Sequence, residues 1–213
     1  MELMEMKWTQ IPLGPLQTNC YVVSDGQDCI IFDPGEEPQK IIQYIQTKNL
    51  KPLAILLTHA HFDHIGALDA IRDHYGIPAY IHEKEAKWLL DPALNGSQNW
   101  FPENPMRMKP ADHILANEQE LTIGGFTFEV FETPGHSPGS VSYYLKDERL
   151  LFSGDVLFQG SVGRTDLIGG SESVLLNSIE TKLLTLSDDA IVFPGHGPVT
   201  TILDEKNTNP FLR

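Results

Sequence analysis

The chain has 213 residues, with 15 basic side chains against 29 acidic ones and a formal net charge of −14. A surface with that deficit repels phosphate backbones and anionic headgroups, so neither nucleic acid nor membrane is expected as a partner. No apolar run approaches the ~20 residues that cross a bilayer, Met1 to Leu16 lacks the basic and apolar regions of a secretory leader, and Cys20 and Cys29 form no CxxC pair, which together suggest one domain over 1–213 in a reducing cytoplasm.

Cys20 to Ser24 and Cys29 to Phe32 are apolar or β-prone runs around Asp25-Gly26, the pattern of a hairpin. Both cysteines are then small buried strand residues. Asp33-Pro34-Gly35 stops the second strand, and Pro38 opens a helix whose apolar face is Ile41, Ile42 and Ile45. Leu53 to Leu57 is a continuous apolar run, as expected for a strand covered on both faces. After Thr58 to His64 comes a helix carrying Ile65, Leu68 and Ile71 and stopping at Gly76. Ile77 to Ile81 reads as a strand and Lys84 to Leu90 as a short helix. The stretch 92–112 holds Pro92, Pro102, Pro105 and Pro110 without a sustained period; it is either a lid carrying Trp100 and Phe101 or a loose surface connection. Strands follow at Phe126 to Phe131, Val141 to Leu145 and Leu150 to Phe152, then a helix over Ser171 to Leu186 and a last strand at Ala190 to Phe193. Strands and helices in both halves give an α/β class with two sheets packed together and helices outside.

His59, His61, Asp63 and His64 place four potential ligands within six residues, just past a buried strand. Imidazole and carboxylate suit Zn, Fe or Mn, and no thiolate joins the cluster. Adjacent Asp63 and His64 point differently from His59 and His61, so two divalent ions are the economical reading. Thr133-Pro134-Gly135-His136, Phe152-Ser153-Gly154-Asp155 and Phe193-Pro194-Gly195-His196 each put a ligand-type side chain after a glycine at a strand end, where the backbone can turn closely. His74, His82 and His113 lack this context and are expected to be ordinary polar residues. Asp33 ends a buried strand and either orients a ligand histidine or caps its turn. Thr58 and Ser137 flank ligands, and their part stays open.

In that order, THAHFDH, TPGH, SGD and FPGH resemble the metallo-β-lactamase superfamily, from about Asn19-Cys20-Tyr21 to Asn209-Pro210-Phe211. The chain is most similar to the short glyoxalase-II-like hydrolases, which carry a loop like Gly160 to Asp166. The resemblance implies a four-layer αββα sandwich with metals at one edge between the sheets. It assigns His59, His61 and His136 to one metal and Asp63, His64 and His196 to the other, with Asp155 bridging and Asp63 and Asp155 as the catalytic carboxylates. Zinc is the first expectation for the two divalent ions, with iron or manganese open.

The departures narrow the reading. The commonest class B β-lactamases use a cysteine at the second metal and are exported, whereas neither Cys20 nor Cys29 falls at a ligand position. Di-iron electron carriers of the superfamily replace the second histidine of the motif by Glu and add a flavin domain; here that residue is His61. Nucleases of the superfamily add RNA-binding insertions, against which the charge also speaks. Full-length glyoxalase II has a helical extension that helps hold glutathione, while this chain stops soon after His196. Arg164 either grips a substrate carboxylate or pairs with Asp166. A thiolate can leave unprotonated whereas an amide nitrogen needs a donor, so the expected activity is hydrolysis of a small thioester partner substrate, a 2-hydroxyacyl thiol adduct. The alternatives are a mononuclear-iron persulfide dioxygenase of the same fold, which Gly163 to Asp166 also resembles, and a non-catalytic metal store or structural clip.

Overall fold

The computed structural model describes residues 6–212, so the opening five residues read for a leader, and Arg213, lie outside the described residues. An antiparallel run comes first: β1 (Lys7–Leu13), β2 (Thr18–Ser24) and β3 (Asp28–Phe32), with β2 and β3 joined at Asp25-Gly26. Asp25 Oδ1 accepts from the N–H groups of Gln27 at 2.9 Å and Asp28 at 2.8 Å, which closes that turn. Helix α1 (Pro38–Lys48) starts on Pro38 and ends at Asn49 in the left-handed conformation, burying Ile41 and Ile45. Strand β4 (Lys51–Leu56) runs parallel to β3, followed by α2 (Phe62–Ile65), α3 (Leu68–Tyr75), β5 (Ala79–His82), α4 (Ser97–Trp100) and β6 (His113–Leu115). These strands form one sheet in the order β1-β2-β3-β4-β5-β6.

The second half gives β7 (Gln119–Ile123), β8 (Phe126–Glu132), β9 (Val141–Leu145), β10 (Leu150–Gly154), a small hairpin of β11 (Leu157–Phe158) and β12 (Ser161–Val162), α5 (Glu172–Ser178), β13 (Ile191–Pro194), β14 (Thr200–Thr201) and α6 (Ile202–Thr208). Its sheet is ordered β14-β13-β10-β9-β8-β7, with β10 and β13 parallel. No helix among the described residues is long and apolar enough to cross a membrane.

The period of two along the strands sorts their side chains into three cores. Cys20 and Val22 of β2, and Cys29 and Ile31 of β3, face Ile41, Ile45, Leu68 and Ile71 of the helices outside the first sheet. Their neighbours Tyr21, Val23, Ile30 and Phe32 face Phe128, Tyr143, Phe152 and Phe193 of the second sheet. Leu151 and Val192 face the other way, onto Leu175, Ile179 and Ile202. The order is therefore helix, sheet, sheet, helix, the metallo-β-lactamase sandwich. Phe32 and Phe152 stack at 4.1 Å in the central core, and truncating such a ring to Ala costs about 3–5 kcal/mol.

Three helical segments differ from their sequence patterns. The helix expected after the histidine motif is two pieces, α2 and α3, because Gly66 sits against the Asp33-Pro34-Gly35 turn and the Ala67 N–H bonds Pro34 O at 2.9 Å. Lys84 to Leu90 is a chain of tight turns closed by bonds three residues apart, such as Glu85 N–H to His82 O at 3.0 Å and Trp88 N–H to Glu85 O at 2.9 Å; Glu85, Trp88 and Leu89 are buried at the i, i+3, i+4 spacing that the helical pattern shows. Ser171 to Leu186 is α5 followed by a π-helical turn over Ile179–Leu183.

Candidate metal centre

Each candidate ligand lies just beyond a strand end. His59, His61 and α2 with Asp63 and His64 follow β4, His136 follows β8, Asp155 follows β10 and His196 follows β13. Since β3 and β4 are parallel, as are β10 and β13, these turns collect at one end of the sandwich. The glycines there are sterically required. At Gly195 a Cβ would meet Asp155 Oδ1 at 2.1 Å and His64 Cε1 at 2.7 Å, and Gly154, at φ +53°, would push one into Thr58 Oγ1 at 2.4 Å.

The seven side chains converge. His59, His61 and His136 form one group, Asp63, His64 and His196 another, and His59, His64 and Asp155 a third that links them, with ligand atoms in each group within 4.8 Å of one another. His61 Nδ1 lies 2.9 Å from His136 Nε2, and His196 Nε2 lies 3.2 Å from Asp63 Oδ2. Asp155 Oδ2 stands 3.6 Å from His136 Nε2 and 3.5 Å from His196 Nε2, while Oδ1 stands 3.4 Å from His64 Nε2. His59 Nε2, His64 Nε2 and Asp155 Oδ1 are buried without a hydrogen-bond partner. Buried polar atoms without a well-aligned hydrogen bond, His64 Nε2 and Asp155 Oδ1 having only each other at 3.4 Å, cost free energy that a cation would recover, and an all-nitrogen-and-oxygen donor set suits Zn, Fe or Mn.

The electrostatics agree with that fit. Burial, with His64, His61 and His136 alongside, holds His59 well below the usual imidazole range, and burial with His136 beside it holds His61 at about 3. Both are neutral lone-pair donors at neutral pH. Burial opposes charge on the carboxylates, but His64 and His196 overcome it, so Asp63 falls to about 2 and Asp155 well below the carboxylate range. Against the same cost of burial, Asp63 and Asp155 hold His64 well above its usual value, and Asp155 and Asp63 lift His196 to about 9. Metal ions would replace those two protons.

A ring of acceptors orients the imidazoles. His136 Nδ1 donates to Arg164 O at 2.8 Å and His196 Nδ1 to Leu16 O at 3.2 Å. Asp33, itself in the left-handed region at φ +46°, accepts from the Thr58 N–H on Oδ1 at 2.8 Å and from the Thr58 hydroxyl on Oδ2 at 2.6 Å. His64 Nδ1 also reaches Oδ2 at 3.1 Å, and His59 Nδ1 lies 3.1 Å from Thr58 Oγ1. Asp33 thus bonds a candidate ligand as well as its turn. Two contributors escaped the sequence reading: Thr18, whose hydroxyl donates to Asp63 Oδ2 at 2.7 Å, and Glu85, buried behind the site.

Other candidates lie apart from the cluster. Arg164 is exposed and holds Asp166 through Nε and Nη2, both at 2.7 Å. His82 bonds Glu132 Oε1 at 2.8 Å, His113 stacks on Tyr80, and His74 packs edge-on to Tyr75. Segment 92–112 is pinned by buried Asn95, whose carboxamide donates to Trp88 O at 3.0 Å and Met106 O at 3.1 Å and accepts from the Ser97 N–H at 2.9 Å. It carries Trp100 and Phe101 onto Phe62, the residue after His61, with ring centroids 5.5 and 5.7 Å apart.

Residues 13–196, which include all seven converging side chains, match the family model described as the metallo-β-lactamase superfamily. The chain belongs to this superfamily. Among its members, the probable metallo-hydrolase YqgX of Bacillus subtilis (strain 168) is 56% identical over 97% of this chain and 98% of its own length. Hydroxyacylglutathione hydrolase GloC of Haemophilus influenzae (strain ATCC 51907 / DSM 11121 / KW20 / Rd) is 38% identical over 95% of this chain and 96% of its own. Two crystal structures of superfamily members superpose closely. BLEG-1 B3 metallo-β-lactamase has a TM-score of 0.94 at 59% identity, covering 97% of this chain and 99% of that one. TTHA1623 in a di-iron-bound form has a TM-score of 0.84 at 42% identity, covering 96% and 100%.

Proposed function

We propose that this chain is a metallohydrolase with two divalent ions, one on His59, His61 and His136 and one on Asp63, His64 and His196, that cleaves a small thioester of the 2-hydroxyacyl type. The observation that carries this reading is the place of Asp155, one carboxylate facing His136, His64 and His196 at 3.4 to 3.6 Å and so touching both ligand sets. Divalent ions bound there would depress the pKa of a water toward neutrality and polarise the substrate carbonyl.

The chain's own residues do the rest. Asp33 and Thr58 aim His64 and His59, and the carbonyls of Arg164 and Leu16 aim His136 and His196. Thr18 fixes Asp63 through Oδ2. A carboxylate that holds a divalent ion stays ionised, so Asp63 is a poor proton donor at neutral pH, which disfavours a leaving group that must be protonated. A thiolate, with a parent pKa of roughly 8.5, departs without that proton. The 38% identity to a relative named hydroxyacylglutathione hydrolase supports the same substrate class.

The 59% identity to a protein named a B3 metallo-β-lactamase favours a second reading, β-lactam hydrolysis. Free-thiol detection with a panel of lactoyl thioesters, beside a chromogenic cephalosporin, separates the two. Thiol release with little cephalosporin turnover is the expected result. Cephalosporin turnover without thiol release selects the second reading.

A further inference from the structure

Beyond the seven candidate ligands and their direct partners, the most constrained polar group near the site is Glu85. It follows β5, is fully buried, and its carboxylate joins two loops that come from different sheets. Oε2 accepts from the Ala60 N–H at 3.2 Å, and Ala60 stands between His59 and His61. Oε1 accepts from the Ser137 hydroxyl at 2.6 Å and the Gly139 N–H at 2.9 Å, in the loop that carries His136. The approach is close: a Cβ on Gly139 would lie 2.6 Å from Glu85 Cγ. Ser137 Oγ also meets Ser140 Oγ at 2.7 Å, so the His136 loop is tied to the carboxylate as a unit.

We propose that Glu85 is a positioning residue that sets the spacing between His59 with His61 and His136, and thereby the affinity of that ligand set alone. The geometry gives the selectivity. His59 and His61 hang on the β4 loop of the first sheet and His136 on the β8 loop of the second; the Val141 N–H donates to Thr58 O at 2.9 Å at the base of the two loops, and Glu85 joins them again beside the histidines themselves. Glu85 spans them with three hydrogen bonds, none of them to Asp63, His64 or His196. Burial raises the pKa of this carboxyl while the bonds from Ser137, Gly139 and Ala60 pull it back. Such a group is retained for the geometry it imposes on ligands.

This inference rests on the two-metal reading, and metal affinity rather than turnover tests it. Zinc binding is measured by competition with a chromophoric chelator in two backgrounds, His196→Ala, which leaves the His59, His61 and His136 set, and His61→Ala, which leaves the Asp63, His64 and His196 set. Glu85→Gln keeps an acceptor for Ser137 and Gly139 but turns an N–H toward the Ala60 N–H. Affinity is expected to fall about 10–100-fold in the first background and to stay within about threefold in the second. Equal losses in both, or none in either, overturn the proposal. If Glu85→Gln does not fold, Ser137→Ala removes the 2.6 Å bond and must give a smaller loss of the same selectivity; a folded, silent Ser137→Ala then reduces Glu85 to a stability element and overturns it. If the unmutated chain binds no zinc, the two-metal reading itself fails, a result distinct from intact binding that ignores Glu85.

Discussion

The hydroxyl of Thr58 donates to Asp33 Oδ2 at 2.6 Å, and the same oxygen lies 3.1 Å from Nδ1 of His64. Because His59 Nδ1 leans on Thr58 Oγ1 at 3.1 Å, one carboxylate governs the orientation of a histidine from each ligand set. Asp33→Asn preserves the left-handed backbone, which Asn tolerates, but offers an amide where Oδ1 and Oδ2 both accept. Metal affinity at both sets is expected to fall about 10–100-fold. Chelator competition checks this, and a loss confined to one set would separate Asp33 from the role described.

Metal binding should release protons. His64 and His196 hold theirs in the metal-free chain at neutral pH, His196 up to about 9. Affinity therefore rises with pH up to about 9, by about tenfold per unit for each proton displaced. The metal-free fold responds with the opposite sign. A histidine raised from 6.5 to about 9 contributes stability that is complete below 6.5 and is lost as pH climbs through 9. Calorimetry in buffers of different ionisation enthalpy counts the protons, and melting of metal-free protein across pH 6–10 follows the stability.

Asn95 is the internal tie of segment 92–112. Asn95→Ala leaves the Ser97 N–H without its acceptor in a buried place and takes one of two donors from Trp88 O, which keeps the Asp91 N–H at 3.2 Å, and from Met106 O, which keeps the Ser97 hydroxyl at 3.4 Å. The expected destabilisation is about 1–3 kcal/mol, read from denaturant unfolding. Proteolysis should then begin within 92–112, releasing Trp100 and Phe101 from Phe62.

Arg164 spends both of its fork nitrogens on Asp166 in an exposed pair. Exposed pairs contribute little, so Arg164→Gln is expected to leave melting nearly unchanged. If the pair persists when substrate binds, KM for a carboxylate-bearing thioester changes by less than about twofold. A tenfold rise in KM at constant kcat would instead assign Arg164 to substrate.

What was legible in the chain follows from how local each signal is. The β2–β3 hairpin, α1, the histidine-rich motif at 59–64 and the candidate-ligand turns at His136, Asp155 and His196 are written in contiguous residues: a turn dipeptide, an apolar face, clustered donors, a glycine before a ligand-type side chain. Strand β1 was missed because it is an edge with half-exposed side chains and Pro12 inside it, so no clean alternation marks it. Strands β6 and β14 are too short to carry a period. Glu85 was hidden for another reason. It sits in a segment that reads as a surface helix, and only the fold reveals that its side chain turns inward to Ala60 and Ser137. Thr18 likewise acts on Asp63 across 45 positions of sequence, a distance no local pattern spans.

The most direct test of the account is thiol release from a lactoyl thioester by metal-stripped protein to which zinc, iron or manganese is returned stepwise. Activity should rise to a maximum at two ions per chain and should be lost in folded Asp155→Ala. Full activity with a single iron per chain, or no thiol released at any loading, would contradict it.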